Sequence, residues 1–255
     1  MSDFTGALKP SWCKGCSYFI YQKALTEALQ QLNFDPLRTA LVSGIGCSSR
    51  TVFYTNTFGM HTLHGRAIPV ATGLRLSRPD IPVIVAAGDG DLFSIGCGHF
   101  VHAARNDTDI TVFCLNNMMF AMTKNQSSPT SPVGHVGSFT PSGTLNAPLN
   151  LVEFAICSKA SFVARTTTFS PEHLLMTMTS ALKHKGFSFV DIIAPCRTFD
   201  NKHYLQENKL TVIDINAEFK INTGNYDEAL HFASLNGFSP NGPSCRLPIG
   251  TFFDG

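Results

Sequence analysis

The sequence is short of charge. Charged residues make up 15% of the 255 residues and the formal net charge is +1, whereas about 25% charged residues is usual in soluble domains. This balance argues against the basic surface that nucleic-acid binding requires. Apolar residues make up 44%, and 21 residues are Phe. We therefore expect a sizeable core and a subunit that buries part of its surface against another chain.

Long apolar runs are also missing. No stretch reaches the roughly 18 apolar residues that cross a bilayer, and the N-terminal MSDFTGALKP lacks the apolar core of a signal peptide. We therefore expect a cytoplasmic protein that does not enter a membrane and whose eight cysteines are mostly reduced thiols. If several of these cysteines act together, a bound metal explains them better than disulfides.

Short apolar runs typical of buried strands alternate with segments of helical spacing. Strands are predicted at 39–44, 81–88, 109–117, 161–168 and 187–195, and helices at 18–33, 65–77, 93–106, 150–160 and 171–185. This alternation predicts an α/β fold in which helices cover both faces of a parallel sheet. We assign this domain to residues 1–200. Residues 201–255, with weaker periodicity, are predicted to form a C-terminal extension that packs on the core or on a partner subunit.

Two polar signatures follow predicted strands: GDGD at 88–91 and NN at 116–117, with 25 residues between Gly90 and Asn116. Ligands of parallel sheets bind beyond the carboxyl ends of the strands. There, Asp89, Asn117 and a nearby backbone carbonyl offer the hard oxygen ligands that Mg²⁺ prefers. GDG alone is a weak signal because Gly and Asp fill many turns. The occurrence of both GDG and NN at the ends of predicted strands makes the evidence for a magnesium site stronger.

The segment WCKGC places Cys13 and Cys16 two residues apart. A redox dithiol of the thioredoxin type usually follows a first strand, and no strand is predicted before Cys13. From spacing alone, zinc and an iron–sulfur cluster are about equally favoured, because a second CxxC is missing.

The GDG–NN spacing is similar to the thiamine diphosphate/Mg²⁺ motif of thiamine-dependent enzymes. In addition, WCKGC, SGIGCSSR, HTLHGRAIPVATG, GDGDLFSIG, LNN, MTKNQSSPTSP and the late PC resemble the β subunit of 2-oxoacid:ferredoxin oxidoreductases, over about residues 8 to 200. The resemblance implies a thiamine diphosphate-binding fold and one [4Fe–4S] cluster held by Cys13, Cys16, Cys47 and Cys196. A cluster beside thiamine can accept electrons, and zinc cannot.

The resemblance also implies roles for individual residues. Thiamine diphosphate would be bound by Ile45, Ser48, His64, Gly88, Gly90, Asp91 and Thr123, and Mg²⁺ by Asp89, Asn117 and the backbone carbonyl of Met119. His64, Arg50 and Lys124 would contact the substrate. Position 50 often carries Lys in related sequences, and Arg offers a bidentate fork that suits a carboxylate. The other cysteines, Cys97, Cys114, Cys157 and Cys245, are predicted to be buried and inert.

By resemblance, the enzyme oxidatively decarboxylates a 2-oxoacid to acyl-CoA and CO₂ and passes electrons one at a time through the cluster to ferredoxin. The glutamate that activates thiamine would come from an α subunit. Two pocket cations favour 2-oxoglutarate over pyruvate or branched-chain oxoacids. A cluster-free thiamine-dependent decarboxylase and a zinc-stabilised scaffold subunit are the alternatives.

Overall fold

The computed structural model describes residues 3–199, 210–235 and 245–255. The helices are α1 (Tyr18–Gln31), α2 (Thr51–Tyr54), α3 (Ala67–Ser77), α4 (Asp89–Phe93), α5 (Cys97–Arg105), α6 (Leu151–Cys157), α7 (Pro171–Lys183), α8 (Ile215–Phe219) and α9 (Tyr226–Ser234). The strands are β1 (Ala40–Ser43), β2 (Phe58–His61), β3 (Val83–Gly88), β4 (Thr111–Asn116), β5 (Met119–Phe120), β6 (Gln126–Ser127), β7 (Phe162–Thr167), β8 (Ser188–Ile193), β9 (Leu210–Asp214) and β10 (Cys245–Asp254). Each predicted strand and helix is present, although the helix expected from residue 93 begins at Cys97.

One eight-stranded sheet organises the chain, in the order β2-β1-β3-β4-β8-β7-β10-β9. Neighbouring strands are parallel, apart from β10, which runs antiparallel to β7. The mostly parallel α/β fold that the sequence predicts is therefore confirmed. The carboxyl ends of β1, β3, β4 and β8 lie along one edge, with β3 and β4 between the other two.

Hydrophobic cores cover both faces of the sheet, and β3 shows how its residues alternate between them. Ile84 and Ala86 pack into a core built with α1 and α7, whereas Val85 and Ala87 pack into a core built with α3, α5, α6 and α9. A strand that is buried on both faces carries apolar residues at every position, which is why its sequence reads as a continuous apolar run.

Many of the phenylalanine side chains lie in these cores. The Phe100 ring contacts those of Phe93, Phe154, Phe187 and Phe189. Each fully buried Phe contributes about 1.5–3 kcal/mol to folding. The chain's own core accounts for these rings, so their number does not by itself require a partner chain.

The C-terminal part continues the sheet. Residues 245–249 of β10 pair with β9 and residues 250–254 pair with β7. The domain boundary predicted at residue 200 lies outside the described residues. Across 3–199, 210–235 and 245–255, the helices are too short or too polar to cross a membrane.

Candidate functional site

A cavity of about 400 Å³ opens at the carboxyl ends of β1, β3 and β4. Every segment that follows one of these strands contributes to its wall. The predicted site residues among its lining are Ile45, Cys47, Ser48, His64, Gly88, Asp89, Gly90, Asp91, Asn117, Met119 and Thr123. The structure therefore brings together most of the residues that the sequence singled out.

Asp89 is the most buried carboxylate facing this cavity, with 1% of its surface exposed. Burial raises the pKa of Asp89 to about 6, and hydrogen bonds from Ser128, Thr130 and the Asn117 backbone partly oppose the rise. The Thr130 hydroxyl donates to Asp89 Oδ2 over 2.6 Å. A buried carboxylate is stabilised most when a cation neutralises it, so Asp89 fits a site for a divalent metal.

The two asparagines at the end of β4, Asn116 and Asn117, make the same local hydrogen bond. Asn116 Oδ1 accepts from Met118 N and Asn117 Oδ1 accepts from Met119 N, each over 3.1 Å. Since a backbone N–H can only donate, these bonds fix which side of each amide carries the oxygen. The Asn116 amide nitrogen donates to Asp191 Oδ1 and the Asn117 amide nitrogen donates to the Tyr18 hydroxyl.

Asp91 holds three segments of the site together. Its Oδ1 atom accepts from His64 Nδ1 over 2.6 Å, from Gly65 N over 2.8 Å and from Ile45 N over 3.1 Å. The His64 ring is thereby fixed with Nε2 left for the cavity. Asp91 was expected to contact the cofactor; it lines the cavity, and its hydrogen bonds go to the protein.

Gly90 allows an aromatic ring to close the cavity wall. A Cβ atom at Gly90 would lie 2.3 Å from Phe120 Cε1, so any larger residue would displace that ring. The Phe120 ring in turn meets the His64 ring edge-on, with 6.0 Å between their centroids.

The long polar loop at residues 123–147 contributes buried hydroxyl groups that sequence reasoning missed. Besides the contact of Thr130 with Asp89, Ser131 Oγ donates to the Met118 carbonyl over 2.6 Å. Ser128 and Thr130 hydroxyls lie 3.1 Å apart. A loop of this length within a compact domain is often functional, but nothing in its sequence shows which hydroxyl reaches Asp89.

The four predicted cluster cysteines lie near one another. Burial raises the pKa of Cys16 to about 11, and the charges of Cys196, Cys47 and Cys13 add to the rise. Burial also raises the pKa of Cys47, with further contributions from Cys196 and Cys13. Neighbouring cysteines thus disfavour the ionised forms of Cys16 and Cys47, and a bound cationic group would relieve that repulsion.

One hydrogen bond lies within the WCKGC segment, and two join this segment and the adjoining Ser17 to the other cysteine-bearing segments. Cys16 N donates to the Cys13 carbonyl over 3.0 Å, and Trp12 Nε1 donates to the Cys47 carbonyl over 2.7 Å. Ser17 Oγ donates to the Pro195 carbonyl, beside Cys196, over 3.1 Å. Each segment of the group is therefore held by a neighbour.

Among the described residues, no three His, Cys, Asp or Glu side chains are grouped closely enough to hold one metal ion. Four thiolates around one zinc ion lie about 3.8 Å apart, as 2.3 Å zinc–sulfur bonds require. A cubane places its thiolates on four separate irons and therefore farther apart. An iron–sulfur cluster at these cysteines stays a prediction.

Arg50 and Lys124, both within the described chain, lie outside the cavity lining. Arg50 donates to the carbonyl and hydroxyl of Ser11, and its guanidinium lies 5.9 Å from the centroid of the Tyr54 ring. Lys124 is exposed in a left-handed conformation with φ 68°. Their contact with a substrate stays a prediction.

The remaining cysteines differ in burial. Cys114 is fully buried, as predicted, and Cys97 is partly buried. Cys157 is exposed, so the prediction of a buried thiol is wrong there, because it occupies the solvent face at the end of α6. The side chain of Cys245 lies outside the described residues.

Comparison with known proteins places these features among relatives. Residues 44–192 match the family of the thiamine pyrophosphate enzyme, C-terminal TPP binding domain. The chain is 35% identical to 2-oxoglutarate synthase subunit KorB of Methanocaldococcus jannaschii, covering 95% of this chain and 87% of that protein. It is 36% identical to the β subunit of 2-oxoacid:ferredoxin oxidoreductase 1 of Aeropyrum pernix, covering 95% and 77%.

A solved structure is also similar. It is the 2-oxoglutarate:ferredoxin oxidoreductase from Magnetococcus marinus, with 2-oxoglutarate, coenzyme A and succinyl-CoA bound. The match has a TM-score of 0.90 and 33% identity and covers 100% of this chain and 85% of that chain.

Proposed function

Because the chain belongs to the β-subunit family of 2-oxoacid:ferredoxin oxidoreductases, which are thiamine-dependent enzymes, we propose the following activity. With an α subunit, it oxidatively decarboxylates a 2-oxoacid to an acyl-CoA and CO₂ and passes the electrons singly to ferredoxin. Thiamine diphosphate, when bound, supplies the electron sink for this chemistry.

The strand-end residues hold the diphosphate end of the cofactor. Asp89, Asn117 and the Met119 carbonyl offer oxygen ligands for Mg²⁺. Thr130 donates to Asp89 Oδ2, and this hydrogen bond helps to fix how the carboxylate faces the metal. Gly88 and Gly90 let the backbone approach the diphosphate, and His64, fixed by Asp91, presents Nε2 to the cavity.

The cysteines Cys13, Cys16, Cys47 and Cys196 hold a [4Fe–4S] cluster next to this cavity. The observation that carries the proposal is that Cys47 belongs both to the coupled thiols and to the cavity lining. Because Cys47 would bind the cluster and also lines the cofactor cavity, the cluster that accepts electrons would lie beside the thiamine that donates them.

The partner and the substrate are supported separately. No glutamate lines the cavity in the described residues, so the activating carboxylate is assigned to the α subunit. We propose 2-oxoglutarate as substrate and coenzyme A as acyl acceptor, on the names of the relatives and the ligands of the Magnetococcus marinus enzyme. Arg50 and Lys124 add little support because they lie outside the cavity lining.

The test is anaerobic purification of the complex with its α subunit and measurement of iron, sulfide and thiamine content. Cys196→Ala should remove about four irons and four sulfides and abolish viologen reduction. Cys157→Ala, which changes an exposed thiol, should leave both unchanged. Zinc in place of iron would support the zinc-stabilised scaffold, and decarboxylation without iron would support the cluster-free decarboxylase.

The substrate assignment is tested by turnover of the same complex. Faster turnover of pyruvate than of 2-oxoglutarate would overturn it.

A further inference from the structure

Tyr18 lies between the two groups of site residues. It is the first residue of α1, its side chain is 3% exposed, and it lines the cavity together with Cys47 and Asp89. In the sequence it looks like an ordinary core residue at the start of an amphipathic helix. In the structure, however, Tyr18 contacts both the cysteine group and a predicted metal ligand.

One end of Tyr18 contacts the cysteine group. Its backbone N–H hydrogen-bonds the Cys16 thiol and lowers the pKa of that thiol against the larger effect of burial. Its ring packs edge-on against Trp12, with 5.8 Å between centroids, and Trp12 donates to the Cys47 carbonyl. N–H donors to cluster sulfurs are among the groups that set a cluster's potential.

The other end contacts a predicted metal ligand. The Tyr18 hydroxyl accepts from Asn117 Nδ2 over 3.0 Å. Asn117 Oδ1 is already held by Met119 N, so the tyrosine oxygen completes the fixation of this amide. Burial raises the pKa of Tyr18 well above its ordinary value, so the hydroxyl keeps its proton at working pH.

We propose that Tyr18 is a positioning residue that fixes the thiamine–Mg²⁺ site and the iron–sulfur site relative to each other. One rigid residue contacts a cysteine sulfur through its backbone and a metal ligand through its hydroxyl. The inference rests on the proposed function, because it concerns the spacing of the two cofactors that this function requires.

Tyr18→Phe separates the two contacts. It keeps the ring and the backbone N–H, so iron and sulfide content should match wild type. It leaves the Asn117 amide without its acceptor, so Mg²⁺-dependent affinity for thiamine diphosphate, measured by titration calorimetry on the α/β complex, should fall about tenfold. Cluster reduction after addition of 2-oxoacid, followed by stopped-flow absorbance at saturating cofactor, should also slow.

Tyr21→Phe is the matched control, since Tyr21 lies one helical turn away and its hydroxyl has no hydrogen-bond partner in the described structure. It should bind the cofactor as wild type does. Equal affinities for the two Phe variants, or loss of iron from Tyr18→Phe, would overturn the inference. Failure of the wild-type complex to bind thiamine diphosphate or iron would instead overturn the proposed function.

Discussion

Thr130 has one hydroxyl proton and three possible acceptors within reach, one of which is Ser128 Oγ at 3.1 Å. Asp89 Oδ2 lies 2.6 Å away and Asn116 Oδ1 lies 3.1 Å away. A carboxylate is the stronger acceptor, so the proton goes to Asp89. The hydroxyl therefore keeps one oxygen of the predicted metal ligand occupied and fixes how the other is presented.

Removing this hydroxyl should weaken the metal site. Thr130→Val should lower Mg²⁺-dependent thiamine diphosphate affinity by about fivefold to thirtyfold, which corresponds to about 1–2 kcal/mol for an uncompensated buried acceptor. Thr130→Ser should restore most of the affinity. Thr140→Val, in the same loop but bonded to His135 and Ser127, serves as the control. Calorimetric titration gives the answer, and wild-type affinity in Thr130→Val would contradict the role.

Position 44 has room only for glycine, because the Asp91 side chain lies against its backbone. A Cβ atom there would lie 1.9 Å from Asp91 Oδ2, and Asp91 anchors three segments of the site. Gly44→Ala should therefore destabilise the fold by about 1–3 kcal/mol or more. Gly73→Ala in α3, where a Cβ would meet no described atom within 4 Å, should stabilise it by up to about 1 kcal/mol. Chemical denaturation measures both, and equal stability of the two variants would refute the steric argument.

At the scale of elements, an ion pair joins β7 to β8 inside the protein. Arg165 Nε donates to Asp191 Oδ2 over 2.8 Å, and both side chains are at most 2% exposed. Asp191 Oδ1 accepts from Asn116. Asn116 Oδ1 in turn accepts from Met118 N, so the ion pair is connected to the turn after β4.

Removing one charge of the Arg165–Asp191 pair should strongly destabilise the fold. Asp191→Asn removes the negative charge that Arg165 Nε contacts and should lower the free energy of unfolding by about 3–5 kcal/mol. The double variant Arg165→Met/Asp191→Leu should recover much of that stability. Urea denaturation measures the stability of both variants. If Asp191→Asn were as stable as the double variant, the ion pair would not be desolvated in the folded protein.

A second contact between elements makes stability depend on pH. Burial lowers the pKa of His173 on α7 below 6.5, and Asp214 partly opposes the shift. As pH falls below about 6.5 the unfolded chain binds this proton before the folded chain does, so stability is lost. We expect Tm to fall between pH 7 and pH 5, and less steeply in His173→Asn. His231→Asn, at an exposed site on α9, should keep the wild-type slope, and identical slopes in all three would exclude His173 as a cause.

Burial decides which elements the sequence could predict. The strands β1, β3, β4, β7 and β8 are buried at every position except Gly88 and read as apolar runs. The edge strand β2 is largely exposed, and β10 contains Pro248 and Gly250, so neither has such a run. Pro69 does not interrupt α3, because it lies in the first turn, where its missing N–H has no partner to lose.

At the scale of the whole molecule, the parallel topology explains why the segments that follow the strands could be singled out from the sequence. Strand ends meet at one edge, so polar residues after apolar runs converge there even when far apart in sequence. Thr130 and Tyr18 could not be found in this way. One lies in a long loop among similar hydroxyls, and the other has the pattern of a helix core residue.

The same topology leaves the opposite edge of the sheet away from both proposed cofactor sites. The turn from Leu76 to Asp80, which precedes β3, is exposed along its length. Exposed loop tips tolerate inserted residues well. A peptide tag or a fluorophore could therefore be attached there to immobilise the enzyme on an electrode or to follow its assembly by light, with the chemistry facing away from the label.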